Sequence, residues 1–255
     1  KKQLLIIFLC GFWGLTLVCC GAGRRNPGPR VIYRKESAYQ EIYVLKEGSV
    51  VTLKFGSPHA SVTQSQVDLS NPHRHLLEYS RLALAGLLYN PLPQRILVVG
   101  LGGGGIPREL HHYYPDASVE VVEIDPVVAG VARRFFGFPP PAEIPVHVAD
   151  GRKFIEKKAR EHDFSGYDLI VLDAYGEDYV PFHLLTKNFL KVVRQVLTPD
   201  GVVVSNLIST HRLFDSAVKT HREVFRASQA YVGQESTNVI LVSPGRKAPV
   251  LTEKG

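Results

Sequence analysis

The chain has 255 residues, of which 45% are hydrophobic and 21% charged, and its formal net charge is +6. This is the composition of an ordinary globular protein, long enough for one large domain or two small ones. The basic residues are scattered, with no basic stripe interleaved with aromatics, which argues against a nucleic-acid partner.

All three cysteines, Cys10, Cys19 and Cys20, lie in the first twenty residues, so there is no disulfide framework. No His, Asp or Glu cluster has metal-ligand spacing, and no metal is expected. Lys1 and Lys2 precede an apolar run from Leu4 to Cys20, followed by Gly21, Ala22 and Gly23. That order predicts a signal peptide or N-terminal membrane anchor over residues 1–23. The chain is then expected to be exported or membrane-anchored, with membrane contact only through this segment and the side of the membrane left open. Residues 24–37, rich in Arg, Pro and Gly, read as a linker.

Residues 38–66 predict a small antiparallel element, with a hairpin turn at Lys46-Glu-Gly-Ser49 and a further strand from Ala60 to Gln66. A leucine-rich periodicity predicts a helix over 73–89. From there to residue 244, strands and helices alternate. The strands are Ile96–Val99, Ser118–Asp125, Val146–Ala149, Tyr167–Leu172 and Val202–Asn206, with a turn at Thr198–Gly201. Two further strands, Ala230–Gly233 and Asn238–Val242, have no helix between them and should pair antiparallel. The tail from 245 to 255 is expected to be loose. The pattern predicts an α/β doubly wound, Rossmann-like domain over 67–244, with a mainly parallel sheet and ligands at the carboxyl ends of its strands.

Gly100 and Gly102 to Gly105 follow the first of these strands, and Pro107 sits in the first turn of the next helix. Glycines there let the backbone turn sharply and approach a nucleotide. Glu123, Asp150 and Asp173 each close a separate predicted strand, so a parallel sheet sets them on one rim. The first could accept both ribose hydroxyls, the second the adenine amino group, and the third is left near a reacting centre. Gly100-x-Gly102-x-x-Gly105 with Glu123 also fits a dinucleotide fingerprint, but the acids at Asp150 and Asp173 and the closing strand pair argue against an oxidoreductase.

At these residues the chain resembles the spermidine synthase family of aminopropyltransferases, which are built on a class I methyltransferase fold. Ser37-Ala-Tyr-Gln40, Gly100 to Glu109, Val122-Glu-Ile-Asp125, Ala149-Asp-Gly151, Tyr167 to Asp173 and Leu197 to Gly201 are similar to its motifs in order and spacing. The resemblance implies that Gln40, Gly100, Gly102, Gly104, Glu123, Asp150 and Gly151 hold the nucleoside of decarboxylated S-adenosylmethionine. Asp173 would take the proton of a small-molecule amine acceptor. Family members often dimerise through their N-terminal strands, which leaves a homodimer open.

The departures fall on the amine side. The family's glycine-motif Asp is Gly103 here, and the histidine of its Y-H-E falls on Tyr79. The second Asp of its D-x-x-D is Gly176, with Glu177 and Asp178 close enough to substitute. Pro181 is displaced by one from the family's loop proline. Tyr79, Tyr175, Glu177, Asp178 and Pro181 are therefore the candidate acceptor residues. Two alternatives follow: a methyltransferase of the same fold using S-adenosylmethionine, or a nucleoside-binding homologue without chemistry.

Overall fold

A computed structural model of the chain describes residues 28–174 and 181–249. The first sheet is an antiparallel meander of β1 (Arg30–Glu36), β2 (Glu41–Glu47), β3 (Val50–Phe55) and β4 (Ser65–Asp68). Gly48 makes the β2–β3 turn with φ +58°, a conformation natural to glycine. Within the segment expected as a linker, residues 30–36 are strand: β1 pairs along β2 from Arg30↔Lys46 to Glu36↔Glu41. Cross-strand pairing overrides its polar composition. Likewise β4 starts later than the strand expected from Ala60 and runs past residue 66, because its partners on β3 set its register.

The helix expected over 73–89 is shorter. It is α1 (Glu78–Leu82) followed by a 3-10 segment, Ala83–Leu88. Gly86 there lies so near the second sheet that a Cβ would fall 2.6 Å from Val204 Cγ2.

The second sheet has seven strands in the order β10-β11-β9-β8-β5-β6-β7. β5 (Arg95–Val99), β6 (Ser118–Glu123), β7 (Val146–Val148), β8 (Tyr167–Leu172) and β9 (Leu197–Ile208) run parallel. β10 (Gln229–Val232) and β11 (Asn238–Pro244) add the antiparallel pair. The expected turn at Thr198–Gly201 is a register break inside β9. The helices are α2 (Gly105–Tyr113), α3 (Pro126–Phe135), α4 (Gly151–Lys158), α5 (Lys187–Gln195) and α6 (Phe214–Val224).

Alternate strand residues enter opposite cores, as the two-residue period of a strand requires. Ile96, Val98, Leu169 and Val171 pack with Leu110 of α2 and Ala129 and Ala132 of α3. Leu97, Val99, Ile170 and Leu172 pack with Ile155 of α4 and Phe189 and Val193 of α5. The expected doubly wound, class I methyltransferase-type sheet with its antiparallel strand pair is therefore present. The N-terminal meander buries Ile42, Val44, Leu53 and Phe55 against Val128, Val131 and Phe136.

Two expectations are corrected here. Residues 245–249 are not loose: Gly245 N–H donates to Gly201 O, Lys247 N–H to Pro199 O, and Ala248 is buried. The expectation of an exported or membrane-anchored chain is withdrawn. Among the described residues no helix is long and apolar enough to cross a membrane, and the run that prompted it lies in residues 1–27, outside them.

Asp125 joins the two sheets. One carboxylate oxygen caps α3 through Val127 N–H at 2.8 Å, and the other accepts from Ser37 Oγ at 2.6 Å. Replacing Asp125 with alanine should lower the unfolding free energy by about 2–3 kcal/mol, the sum of a lost cap and a lost buried bond. Asp125→Asn should lose less. Urea unfolding measures both, and a loss below about 0.5 kcal/mol for the alanine variant would dismiss the tether.

Candidate active site

The carboxyl ends of β5, β6, β7 and β8 form one rim, and the glycine turn after β5 is its centre. Gly100 has φ +97°, and a Cβ there would lie 2.0 Å from Asp173 O, so only glycine lets the two strand ends meet. Gly102, φ +53°, sits against Ser65 Oγ of β4. Four of the five N–H groups from Gly100 to Gly104 are bonded inside the protein. Their acceptors are Val122 O, Glu123 Oε2, Ser65 Oγ and Leu101 O, for Gly100, Leu101, Gly103 and Gly104 in turn. A turn so committed offers few donors to a pyrophosphate, which removes the main support for a dinucleotide site.

Glu123 is buried, and its Oε1 and Oε2 accept from Asp125 N–H and Leu101 N–H, both at 2.9 Å. Burial pushes its pKa up, and the backbone hydrogen bonds pull against that. Each oxygen keeps a lone pair for a ligand hydroxyl. Asp150 caps α4 through Lys153 N–H at 2.9 Å, and its other oxygen lies 3.2 Å from His183 Nε2. Gly151 packs on β5, where a Cβ would be 2.5 Å from Val99 Cγ1.

Asp173 accepts from Asn206 Nδ2 at 2.8 Å. Its pKa is pushed up to about 7, chiefly by burial, with the charge of Glu123 adding and the Asn206 hydrogen bond opposing. Tyr79 donates to Gln64 O at 3.0 Å. Burial and the charge of Asp173 hold its phenol well above the usual range.

These groups line one cleft of about 1130 Å³ between the two sheets. Of the sequence candidates, Gln40, Tyr79, Gly100, Gly102, Glu123, Asp150, Gly151, Asp173 and Pro181 line it. Gly104 does not: it is the N-cap residue of α2, and a Cβ there would sit 2.1 Å from the Phe138 ring, so its missing side chain serves that packing. Tyr175, Glu177 and Asp178 fall in 175–180, outside the described residues. Sequence reasoning missed Glu78, His183, Asn206, Glu235 and Asn238, which also line the cleft. Asn206 had a signal, since it closes an apolar run on the same rim as Asp173. His73 and His75 lie on Glu109, with His73 Nδ1 2.9 Å from Oε1.

The charge balance of the cleft is one-sided. Glu78, Glu123, Asp150, Asp173 and Glu235 line it, and among the described lining residues there is no Lys or Arg, although the chain as a whole is +6. Such a site favours cationic ligands and penalises a free carboxylate.

Gly103 shows why one expected acid is missing. A Cβ there would be 2.5 Å from the Phe136 ring and 3.0 Å from Ser65 Cβ. Gly103→Asp should therefore cost about 1–3 kcal/mol by overpacking, read as a lower melting temperature. An unchanged melting temperature would mean that Phe136 yields.

Comparison with known proteins agrees with this geometry. Residues 77–236 match the family model for the spermine/spermidine synthase domain. The chain is 38% identical over 216 residues to the polyamine aminopropyltransferase of Vibrio vulnificus, covering 84% of this chain and 71% of that one. It superposes on human methyltransferase-like protein 13 in complex with SAH with a TM-score of 0.63 and 30% identity, covering 69% of this chain and 86% of that one. A spermidine synthase in complex with the transition state analogue AdoDATO gives a TM-score of 0.68 at 20% identity, over 84% and 73% of the two chains. The chain therefore belongs to the spermine/spermidine synthase family and is a transferase by that membership.

Proposed function

We propose that the protein transfers an aminopropyl group from decarboxylated S-adenosylmethionine to a small-molecule amine, with Asp173 as proton acceptor. The observation that carries this reading is the cleft lined by five acids and, among its described residues, no Lys or Arg. The decarboxylated donor is a sulfonium with a terminal ammonium and no carboxylate. S-adenosylmethionine would bring a carboxylate into a cleft whose described lining holds five acids and no Lys or Arg to meet it.

In this reading Glu123 accepts from the ribose hydroxyls, Asp150 and Gly151 hold the adenine, and Gln40, Gly100 and Gly102 close around the nucleoside. Tyr79 and Pro181 border the acceptor, and Tyr175, Glu177 and Asp178 belong to this side by sequence alone. The amine attacks the carbon next to sulfur with its lone pair. The carbon–sulfur bond breaks, its electrons neutralise the sulfonium, and methylthioadenosine leaves. The amine proton passes to Asp173, whose burial makes it a stronger base than an exposed carboxylate. Placing nucleophile, carbon and sulfur in line supplies much of the remaining acceleration.

One observation favours methyl transfer as a second reading. Gly103 leaves the donor's amine without the carboxylate that the family's aminopropyltransferases carry there, and the likeness to methyltransferase-like protein 13 reaches 30% identity.

Mass spectrometry of methylthioadenosine formed from the decarboxylated donor and a diamine tests the proposal. Asp173→Asn should lower kcat about 10²–10⁴-fold while donor affinity stays within about threefold. Since Asp173 must be ionised to accept a proton, the rate should rise with pH through about 7. A full-rate Asp173→Asn enzyme would remove the proposed base.

A further inference from the structure

Asp173 is the end of a chain of side-chain hydrogen bonds that the reaction scheme does not use. Asn206 donates its Nδ2 to Asp173 Oδ1 at 2.8 Å, and Asn238 donates its Nδ2 to Asn206 Oδ1 at 2.9 Å. Asn206 lies in β9 and is 4% exposed, and Asn238 begins the neighbouring strand β11. Both reach the cleft.

The order of donors is chemically forced. An ionised carboxyl group only accepts, so Asn206 must turn its amide nitrogen to Asp173. Its amide oxygen then faces Asn238. Flipping the Asn206 amide would set oxygen against the carboxylate and nitrogen against nitrogen, two mismatches in a buried place. Asn238, donating into that oxygen, complements the orientation that the carboxylate sets. Among the described residues no other side chain hydrogen-bonds to the Asp173 carboxyl group, so Oδ2 is left for the cleft.

The groups that face Asp173 pull in opposite directions. Tyr79 from α1 stands beside it as a neutral phenol, and Glu123 at the end of β6 repels its charge. The Asn206 donor on β9 favours the ionised form. At the other end of the chain, Asn238 follows a loop whose Gln234 and Glu235 N–H groups are held by Glu78 at 3.0 and 2.9 Å. The orienting amides are thus anchored to the wall of the cleft.

We propose that Asn206 and Asn238 are positioning residues that hold Asp173 in its ionised form with one fixed oxygen toward the acceptor amine. The inference rests on the reading of Asp173 as proton acceptor, but its test does not need turnover.

In the full chain, the Asp173 carboxyl carbon can be titrated by ¹³C NMR, its signal assigned by its loss in Asp173→Asn. Asn206→Leu should raise the midpoint by about 1 pH unit, and Asn238→Leu by about half a unit. The rising limb of kcat against pH should move by the same amounts, with the KM for donor within about twofold. A role limited to packing would lower the melting temperature and leave the midpoint in place. A folded Asn206→Leu protein with its midpoint within about 0.2 unit of the parent overturns the proposal. If that variant does not fold, an unmoved midpoint in Asn238→Leu overturns it instead. A shifted midpoint in a protein that transfers nothing to any amine would uphold the positioning role and defeat the transferase reading of the cleft.

Discussion

The structure depends on one buried carboxylate, Glu123. Its Oε2 holds Leu101 in the glycine turn, and its Oε1 holds the N–H of Asp125. Asp125 in turn caps α3 and reaches Ser37 between β1 and β2. A chain of short contacts thus runs from the second sheet's first loop, across β6, to the N-terminal meander. Burying a charge is costly unless donors meet it, and here two backbone N–H groups do. The same charge adds to the burial that makes Asp173 a better base. In the proposed reaction, the group that assembles the rim would also tune the base on it.

Two other acids of the cleft share this double use. Asp150 caps α4 with one oxygen and meets His183 with the other. Glu78 holds two N–H groups of the loop between β10 and β11 while lining the cleft. These two carboxylates are each fixed by a structural bond and keep lone pairs for a ligand. Groups held this way would need little reorganisation to meet the proposed cationic donor and amine, which is the condition for electrostatic preorganisation.

Much of this was legible in the residues. The glycine turn, the strand-end acids and the alternation of strands and helices announced the sheet and its rim, because each depends on local spacing. What was not legible depends on partners distant in sequence. β1 reads as a linker until β2 supplies its ladder, and residues 245–249 read as loose until they dock on β9. Gly104 carries the same letter as Gly100 and Gly102, yet it serves the Phe138 ring and not the cleft. Asn206 and Asn238, 32 positions apart, are ordinary strand residues until Asp173 lies beside them. The hydrophobic N-terminal run suggested a membrane-linked protein, and no helix among the described residues supports that.

The central claim is that the acidic cleft selects a donor without a carboxylate. Titration calorimetry on the full chain, comparing decarboxylated S-adenosylmethionine with S-adenosylmethionine, tests it most directly. An unpaired carboxylate among these acids should cost about 1–3 kcal/mol, so the account predicts about 5- to 150-fold tighter binding of the decarboxylated form. Equal or tighter binding of S-adenosylmethionine would contradict it and make methyl transfer the better reading of the site.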